Sequence, residues 1–201
     1  MKLYHLAGSC SLASHISLIE AGVKFEHYGI DRATKKTADG KDFTAINPKG
    51  YVPALLLDNG ELLTENVAVL SYITGLADGK LGPAPGQPGY LKVLEWLGYV
   101  NSEVHKNFSP LFRPNTPDDM KTVQRELVGQ RLGFIEKTLG NKPYLTGETF
   151  TAADAYLYVT LSWRERVNVS ITHLPMLTAF FERVRARPAV QQARKEQGLD
   201  P

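Results

Sequence analysis

One cysteine, Cys10, stands in the stretch YHLAGSCSLASH, directly before a segment with helical spacing of its apolar residues. A thiol at a helix start faces unpaired N–H groups and the positive end of the helix dipole, which can lower its pKa below the usual value of about 8.5. The alternative is a buried, inert thiol, because cysteine is among the most frequently buried residues. The residue type favours burial, whereas its place after a strand-to-turn segment favours chemistry.

A histidine on a predicted long helix is the second candidate. His105 lies in SEVHKNF beside the apolar stripe of that helix. Its imidazole could donate a hydrogen bond to a thiolate or act as a general base, or it could be half-buried and satisfied locally. The remaining histidines show no partner pattern and are predicted to be structural: His5, His15, His27 and His173.

The stretch YVPALLL places a proline directly before an apolar run. Proline lacks the N–H that a strand ladder needs, so Pro53 suits the first position of a strand. The Val52–Pro53 bond could be cis, which would turn the Val52 N–H and C=O away from the sheet and free them for an extended peptide. The alternative is an ordinary trans proline after a turn.

The stretch LLTEN ends a predicted strand and opens a helix, with Glu65 and Asn66 in the first turn. Free N–H groups there, together with the Asn66 side chain, could hold an anion, and Glu65 could pair with an ammonium group. The alternative is simple helix capping by Thr64, followed by an acidic residue that suits the dipole.

Composition limits the class of protein. The chain has 201 residues, a formal net charge of +2 and one cysteine. One cysteine makes no internal disulfide and offers no zinc-type Cys/His spacing, so no metal site is expected and a reducing, cytoplasmic location fits best. No basic stripe, signal peptide or membrane-length apolar run is apparent, so we expect neither nucleic acid nor a membrane as a partner.

A Gly/Pro-rich stretch, ADGKLGPAPGQPG (77–89), divides the chain. Neither residue suits a helix or strand interior, so this stretch is a predicted linker between domains at 1–80 and 87–201. The front part has the order strand, helix, strand, then a hairpin signalled by Asp58-Asn59-Gly60, then a helix over 65–76. This order predicts a small α/β layer.

The back part is helical almost throughout. One apolar stripe follows Leu94, Leu97, Asn101, Val104 and Phe108. Further on, FTAADAYLYV contains a predicted capping box, with Thr151 as N-cap and Asp154 three residues later, which is a folding signal and not a catalytic one. The sequence therefore predicts an all-α second domain.

These phrases in this order resemble the glutathione transferases, most closely the bacterial beta class, over essentially the whole chain. AGSCSLASHISLIEAG, NPKGYVPALLLDNGELLTENVAVLSYI, SEVHKNFSPLFRP and FTAADAYLYV carry the resemblance. It implies a thioredoxin-like N-terminal α/β domain followed by an all-α domain, and a cytoplasmic homodimer of the detoxifying type. Glutathione is the implied co-substrate, with no further cofactor, and a hydrophobic electrophile is its implied partner.

The resemblance also implies roles for residues. Cys10 corresponds to the active cysteine, able to form a mixed disulfide with glutathione, and His105 to a histidine that reaches toward the thiol. Glu103 corresponds to a site residue that the partner subunit supplies. The implied glutathione-binding set is Lys35, Tyr51, Val52, Pro53, Glu65, Asn66, Ser102, Glu103 and Lys106, and the electrophile pocket is assigned to Phe108, Leu111 and Trp163.

Two residues depart from the beta-class pattern. His5 stands where the class usually has tyrosine, and Gly98 where it usually has an asparagine that bonds near the sulfur. Ala13, three residues after Cys10, excludes an internal dithiol mechanism and leaves a monothiol route with glutathione as the resolving thiol. The sequence therefore predicts a glutathione transferase. The alternatives are a glutathione-dependent disulfide reductase or peroxidase, and a non-catalytic interaction protein of the same fold.

Overall fold

The computed structural model describes residues 1–199, and its N-terminal part is built on one four-stranded sheet. The strands are β1 (Lys2–His5), β2 (Glu26–Gly29), β3 (Ala54–Leu56) and β4 (Leu62–Thr64). Their spatial order is β2-β1-β3-β4, with β2 parallel to β1 and the other neighbours antiparallel. The hairpin at Asp58-Asn59-Gly60 is confirmed, and Gly60 takes the positive φ of 87° that its turn requires.

Three helices belong to this part: α1 (Ser11–Ala21), α2 (Phe43–Ile46) and α3 (Asn66–Leu76). Gly22 ends α1 in the left-handed conformation, as its position after the apolar pattern predicts. Nearly all of α1 is buried, because it packs against α3 on one side and against helices of the second part on the other. The short helix α2 was not predicted from the sequence.

The rest of the described chain is helical, which confirms the predicted fold class. The first long helix is continuous but widens into a π-helical segment, Val100–His105, before it ends. The α-helices are α4 (Tyr90–Tyr99), α5 (Lys106–Phe108), α6 (Asp118–Leu139), α7 (Ala152–Ser162), α8 (Pro175–Arg185) and α9 (Pro188–Glu196), with 3₁₀ turns at Ser109–Phe112 and Arg164–Val167.

The capping box at the start of α7 is confirmed. Asp154 is fully buried and accepts three hydrogen bonds, from the Leu145 N–H at 2.8 Å and from the Thr151 N–H and hydroxyl at 2.8 and 2.7 Å. Because α7 is buried along almost its whole length, this network sits in the middle of the second domain. It anchors the 145–151 loop to the central helix.

The two parts share one continuous apolar core. Helix α1 packs against α7 and α9, so the N-terminal sheet and the helical domain meet across it. Polar contacts support the junction: the Trp163 indole N–H donates to the Gly8 carbonyl at 2.8 Å, and Arg187 grips both oxygens of Glu20 at 2.7 and 3.0 Å. The first contact fixes the loop before α1 against the second domain, and the second fixes the last turn of α1.

The predicted stripe on the first long helix is partly wrong. Leu97, Val104 and Phe108 are buried as expected, but Val93 and Val100 enter the core in place of Leu94 and Asn101. In residues 1–199, no helix combines the length and the apolarity needed to cross a membrane.

Candidate functional site

Cys10 lies at the junction of the sheet and α1. It is the N-cap residue of α1, and its Sγ donates to the Val52 carbonyl at 3.4 Å. The Val52–Pro53 bond is cis, which confirms the first of the two conformations considered from the sequence. The thiol and the backbone edge at Val52 therefore face each other directly.

The surroundings of this thiol act on its ionisation in opposite directions, as the two alternatives considered from the sequence would. Burial raises the pKa of Cys10 to about 11, although backbone N–H groups at the start of α1 and the Lys106 charge act in the opposite direction. Burial of the sulfur away from water therefore destabilises the thiolate more than the helix start and the Lys106 charge stabilise it. In the ligand-free chain Cys10 is a neutral thiol at physiological pH.

Glu65 is the N-cap of α3 and not part of its first turn, which corrects the sequence prediction; Thr64 makes no capping bond there. Its backbone takes a φ of 69°, unusual for a residue with a side chain. The exposed carboxylate accepts a hydrogen bond from the Lys49 ammonium at 2.9 Å, and the same ammonium donates to the Thr64 hydroxyl. Glu65 therefore pairs with an ammonium group, as the sequence analysis considered, and in this structure that group is the Lys49 side chain.

Asn66 is buried and already engaged. Its amide N–H donates to the Cys10 carbonyl at 3.1 Å, and its oxygen accepts from the Ser14 hydroxyl at 3.0 Å. Because both ends of the amide are satisfied within the protein, the side chain positions the start of α1 against α3. Asn66 also lines the cleft beside Cys10.

His105 belongs to a three-residue hydrogen-bond chain. The Tyr156 hydroxyl donates to the Asn101 Oδ1 at 3.0 Å and lies 2.6 Å from His105 Nδ1. Since the hydroxyl gives its one proton to Asn101, His105 must donate its Nδ1–H, which leaves the lone pair on Nε2. Burial lowers the pKa of His105 to about 4, with a smaller effect from the Lys106 charge, so the ring is neutral near pH 7.

A cleft of about 390 Å³ joins these groups. Four cations and a single carboxylate line it, so it suits a ligand with more carboxylates than ammonium groups. The predicted residues that line it are Cys10, Lys35, Tyr51, Val52, Pro53, Glu65, Asn66, His105 and Lys106, and those not predicted include Arg32, Asn47, Lys49, Asn101 and Tyr156. Arg32 follows β2 by three residues, and Lys49 lies in the turn NPKG before the proline, so both had a positional signal.

A second cleft of about 630 Å³ adjoins the first and shares Cys10, Arg32, Tyr51 and His105 with it. Trp163 lines it as predicted, but Phe108 and Leu111 do not: both are buried in the core. The 3₁₀ turn that follows α5 instead exposes Phe112, the next aromatic residue along the chain. The remaining lining consists of Ala7, Gly8, Ser9, Ser109, Phe112, Arg113, Pro114 and Arg166.

Ser102 and Glu103 line neither cleft. Ser102 donates to the Gly98 carbonyl at 3.1 Å, and Glu103 pairs with Arg131 at 3.0 Å. Gly98 lies in open space, where an added Cβ would meet no atom within 4 Å. The helix backbone would therefore accept a larger side chain at that position.

Comparison with known proteins places this arrangement in a family. The model of the glutathione S-transferase N-terminal domain matches residues 1–75, and that of the C-terminal domain matches residues 99–188. Glutathione S-transferase GstA of Escherichia coli O157:H7 is 42% identical over 99% of this chain and 100% of its own length.

Solved structures agree with these matches. A sphingomonad glutathione S-transferase complexed with glutathione has a TM-score of 0.95 at 43% identity and covers 100% of both chains. A bacterial beta class glutathione S-transferase from Sphingomonas chungbukensis has a TM-score of 0.94 at 41% identity, also over 100% of both chains.

Proposed function

The chain belongs to the glutathione S-transferase family, and from this premise we propose that it conjugates reduced glutathione to electrophilic small molecules. One observation carries the proposal: Cys10 and His105 line both clefts, so a thiol bound in the first would meet a molecule bound in the second beside these two side chains. The relatives that bear the transferase name, and the neighbour solved with glutathione, support the same assignment.

The charges of the first cleft suit glutathione. The tripeptide has two carboxylates and one ammonium group, and the cleft offers Arg32, Lys35, Lys49 and Lys106 against the carboxylate of Glu65. We assign the ammonium end to Glu65, where it would share the carboxylate with Lys49. The cysteinyl unit would pair with the backbone of Val52, whose N–H has no backbone acceptor in residues 1–199.

The chemistry that we propose uses two neutral groups. Nε2 of His105 takes the proton of the glutathione thiol, and the Cys10 S–H turns from the Val52 carbonyl to donate to the thiolate that forms. The glutathione sulfur then attacks the electrophile and forms a C–S bond, while the leaving group departs with the bonding electron pair. The leaving group or water then takes up the proton from His105.

A mixed disulfide at Cys10 is the second reaction that we propose for this site. The Cys10 thiolate would attack one sulfur of glutathione disulfide, form a new S–S bond and release one glutathione as thiolate. Because burial raises the pKa of Cys10, thiolate is scarce and this reaction should be the slower of the two near pH 7. Disulfide reductase activity is therefore the second candidate function.

The second cleft suits an apolar, flat electrophile. Phe112 and Trp163 supply aromatic faces, and Arg113 and Arg166 add positive charge at the edge. Trp163 is held firmly, because its N–H is bonded to Gly8 and its ring packs edge-on against His105 and Phe108. Phe108 supports this wall from the core side.

A cytoplasmic homodimer completes the proposal. Leu91 on α4 and Phe134 on α6 expose 76% and 50% of their surface, as residues at an interface often do in an isolated chain. Glu103, which lies outside both clefts of its own chain, would contribute to the partner's site. Light scattering should give twice the chain mass of 22.3 kDa.

Calorimetric titration with reduced glutathione is the direct test. We expect one site per chain, and turnover of an activated aryl chloride with release of chloride. Lys35→Gln should weaken glutathione binding, whereas Lys195→Gln, on α9 and outside both clefts, should not. Absence of binding at two temperatures would refute the enzyme and favour an interaction protein. Binding with turnover of glutathionyl disulfides alone would establish the reductase instead.

A further inference from the structure

Three histidines from three different elements meet beside α1. His5 ends β1, His15 lies in α1 and His27 lies in β2, and the ring centroids are 4.7 to 5.6 Å apart. One ring nitrogen of each lies within 4.8 Å of the other two. The separations of 10 and 12 residues along the chain hide the cluster from any motif, and the sequence analysis treated these residues as structural.

A carboxylate from α9 closes the cluster. Glu196 Oε2 lies 2.7 Å from His15 Nε2 and 3.9 Å from His27 Nε2. The donor set is therefore three imidazoles and one carboxylate, on four elements that the core holds in place. His5 and His15 are buried, whereas His27 and Glu196 keep about a third of their side-chain surface exposed, so an ion could enter past them.

We propose that His5, His15, His27 and Glu196 form a binding site for a divalent transition metal of the Zn²⁺ type. Imidazole nitrogens and carboxylate oxygens are the ligands such ions take, commonly four in a tetrahedron. At Zn–N distances of about 2.0–2.1 Å, two nitrogens of a tetrahedron lie about 3.3 Å apart. His5 Nε2 and His27 Nδ1 are already 3.2 Å apart, and the cluster's ligand nitrogens all lie within 4.8 Å of one another, so the third imidazole needs to move in by about 1.5 Å at most.

The two nitrogens of His5 face different surroundings. His5 is only 4% exposed, yet its Nδ1 is buried without a hydrogen-bond partner among the residues described. Nε2, on the other edge of the ring, lies 3.2 Å from His27 Nδ1 and is therefore the atom of His5 that would ligate, while Nδ1 points away from the proposed ion.

The ligands have supporting contacts. The Gln197 side chain lies with its Nε2 3.1 Å from His15 Nδ1, and its Oε1 accepts from the Gly8 N–H at 3.2 Å. The amide nitrogen donates to His15 Nδ1, so the His15 Nε2–H donates to Glu196 in the metal-free chain. Ligation through Nε2 moves that proton to Nδ1 and requires the Gln197 amide to turn its oxygen toward the ring. The site is separate from the two clefts, since none of its four proposed ligands lines either.

The test uses the full, untagged chain stripped of metal with a chelator. Titration with Co²⁺ should give one equivalent and the visible absorption of a tetrahedral complex, and Zn²⁺ should displace it. His27→Gln, at the most exposed histidine of the cluster, should weaken Zn²⁺ binding about a hundredfold or more. Two controls should bind as the parent does: His173→Gln, an exposed histidine elsewhere, and Cys10→Ser, the one thiol.

X-ray absorption on the zinc-loaded parent chain needs no variant to fold. We expect imidazole scattering and no sulfur shell at about 2.3 Å. The proposal is overturned by absence of stoichiometric binding, by binding that His27→Gln leaves unchanged, or by binding that is lost with Cys10→Ser or His173→Gln.

Discussion

Helix α7 carries two buried polar side chains, two residues apart, that serve different ends. Asp154 accepts three hydrogen bonds, and its three donors come from one loop and the cap of its own helix. Tyr156 also bonds within the protein, but its partner His105 keeps an open Nε2 toward a cleft. A fully satisfied network holds the fold together, whereas a network with one free atom at its end can act on a ligand.

The largest effect on stability is expected from Asp154→Ala, which removes the acceptor of the network that holds the fold. It leaves the N–H groups of Leu145 and Thr151 buried without an acceptor, each at a cost of about 1–3 kcal/mol, so the free energy of unfolding should fall by about 3–5 kcal/mol. Urea denaturation measures this. Glu148→Ala, at an exposed acidic residue of the same loop, should change it by less than about 0.5 kcal/mol. Equal effects would contradict the assigned role.

The rate of Cys10 alkylation tests whether the thiol beside the first cleft is removed from water. With a pKa of about 11 against an ordinary 9.0, the folded chain holds about a hundredfold less thiolate than the unfolded chain near pH 7. Iodoacetamide should therefore modify the folded chain about a hundredfold more slowly, with a rate that rises tenfold per pH unit until the pH nears 11. Equal rates in both states would show that the sulfur is not desolvated.

Glu65→Gln separates binding from stability. The carboxylate is exposed, and Lys49 at 2.9 Å is its one bonding partner among residues 1–199, so its loss should change the free energy of unfolding by less than about 0.5 kcal/mol. A charge-assisted bond to the glutathione ammonium is worth about 1.5–3 kcal/mol, so the Kd for glutathione should rise about tenfold or more. Calorimetric titration measures the Kd for glutathione of the parent chain and of the variant. Glu61→Gln, on the hairpin just before Glu65, is the control. An unchanged Kd would show that Glu65 does not bind the glutathione ammonium group.

Tyr156→Phe should have the smallest effect. The change removes the oxygen that holds His105 Nδ1–H, a bond worth about 1 kcal/mol, so kcat should fall about threefold to tenfold. Tyr158→Phe, on the same helix but stacked against Phe181, should leave kcat unchanged.

The pH profile of the parent chain tests the same histidine. Because the His105 pKa is lowered to about 4, kcat/KM should stay free of a histidine titration between pH 6 and 8 and should fall only as the pH approaches 4. A fall centred near 6.5 would mean that His105 is not desolvated.

Features set by neighbours along the chain could be predicted from the sequence. The capping box needs Thr151 and Asp154 only three residues apart, and the hairpin needs only its Asn-Gly turn. The position of Cys10 at the start of α1 follows from an equally local signal, whereas the residues around Pro53 left a cis and a trans bond both open.

Features set by packing between elements could not be predicted. The stripe on the first long helix was misassigned because Asn101 turns toward the Tyr156 hydroxyl, while Val100 fills the core. The pocket wall was misassigned for a similar reason, since the 3₁₀ turn presents Phe112 and buries Leu111. No spacing along the chain predicts that the side chains of His5, His15 and His27 lie together.

The bond between the Trp163 indole and the Gly8 carbonyl also has an optical consequence. The chain contains two tryptophans, and Trp96 lies in a different aromatic group, with Tyr99 and Phe134. Replacing Trp96 by phenylalanine would leave Trp163 as the single tryptophan, in the wall of the second cleft and at the residue that ties the two domains together. Its emission would then follow each arrival of an electrophile in real time, without any added label.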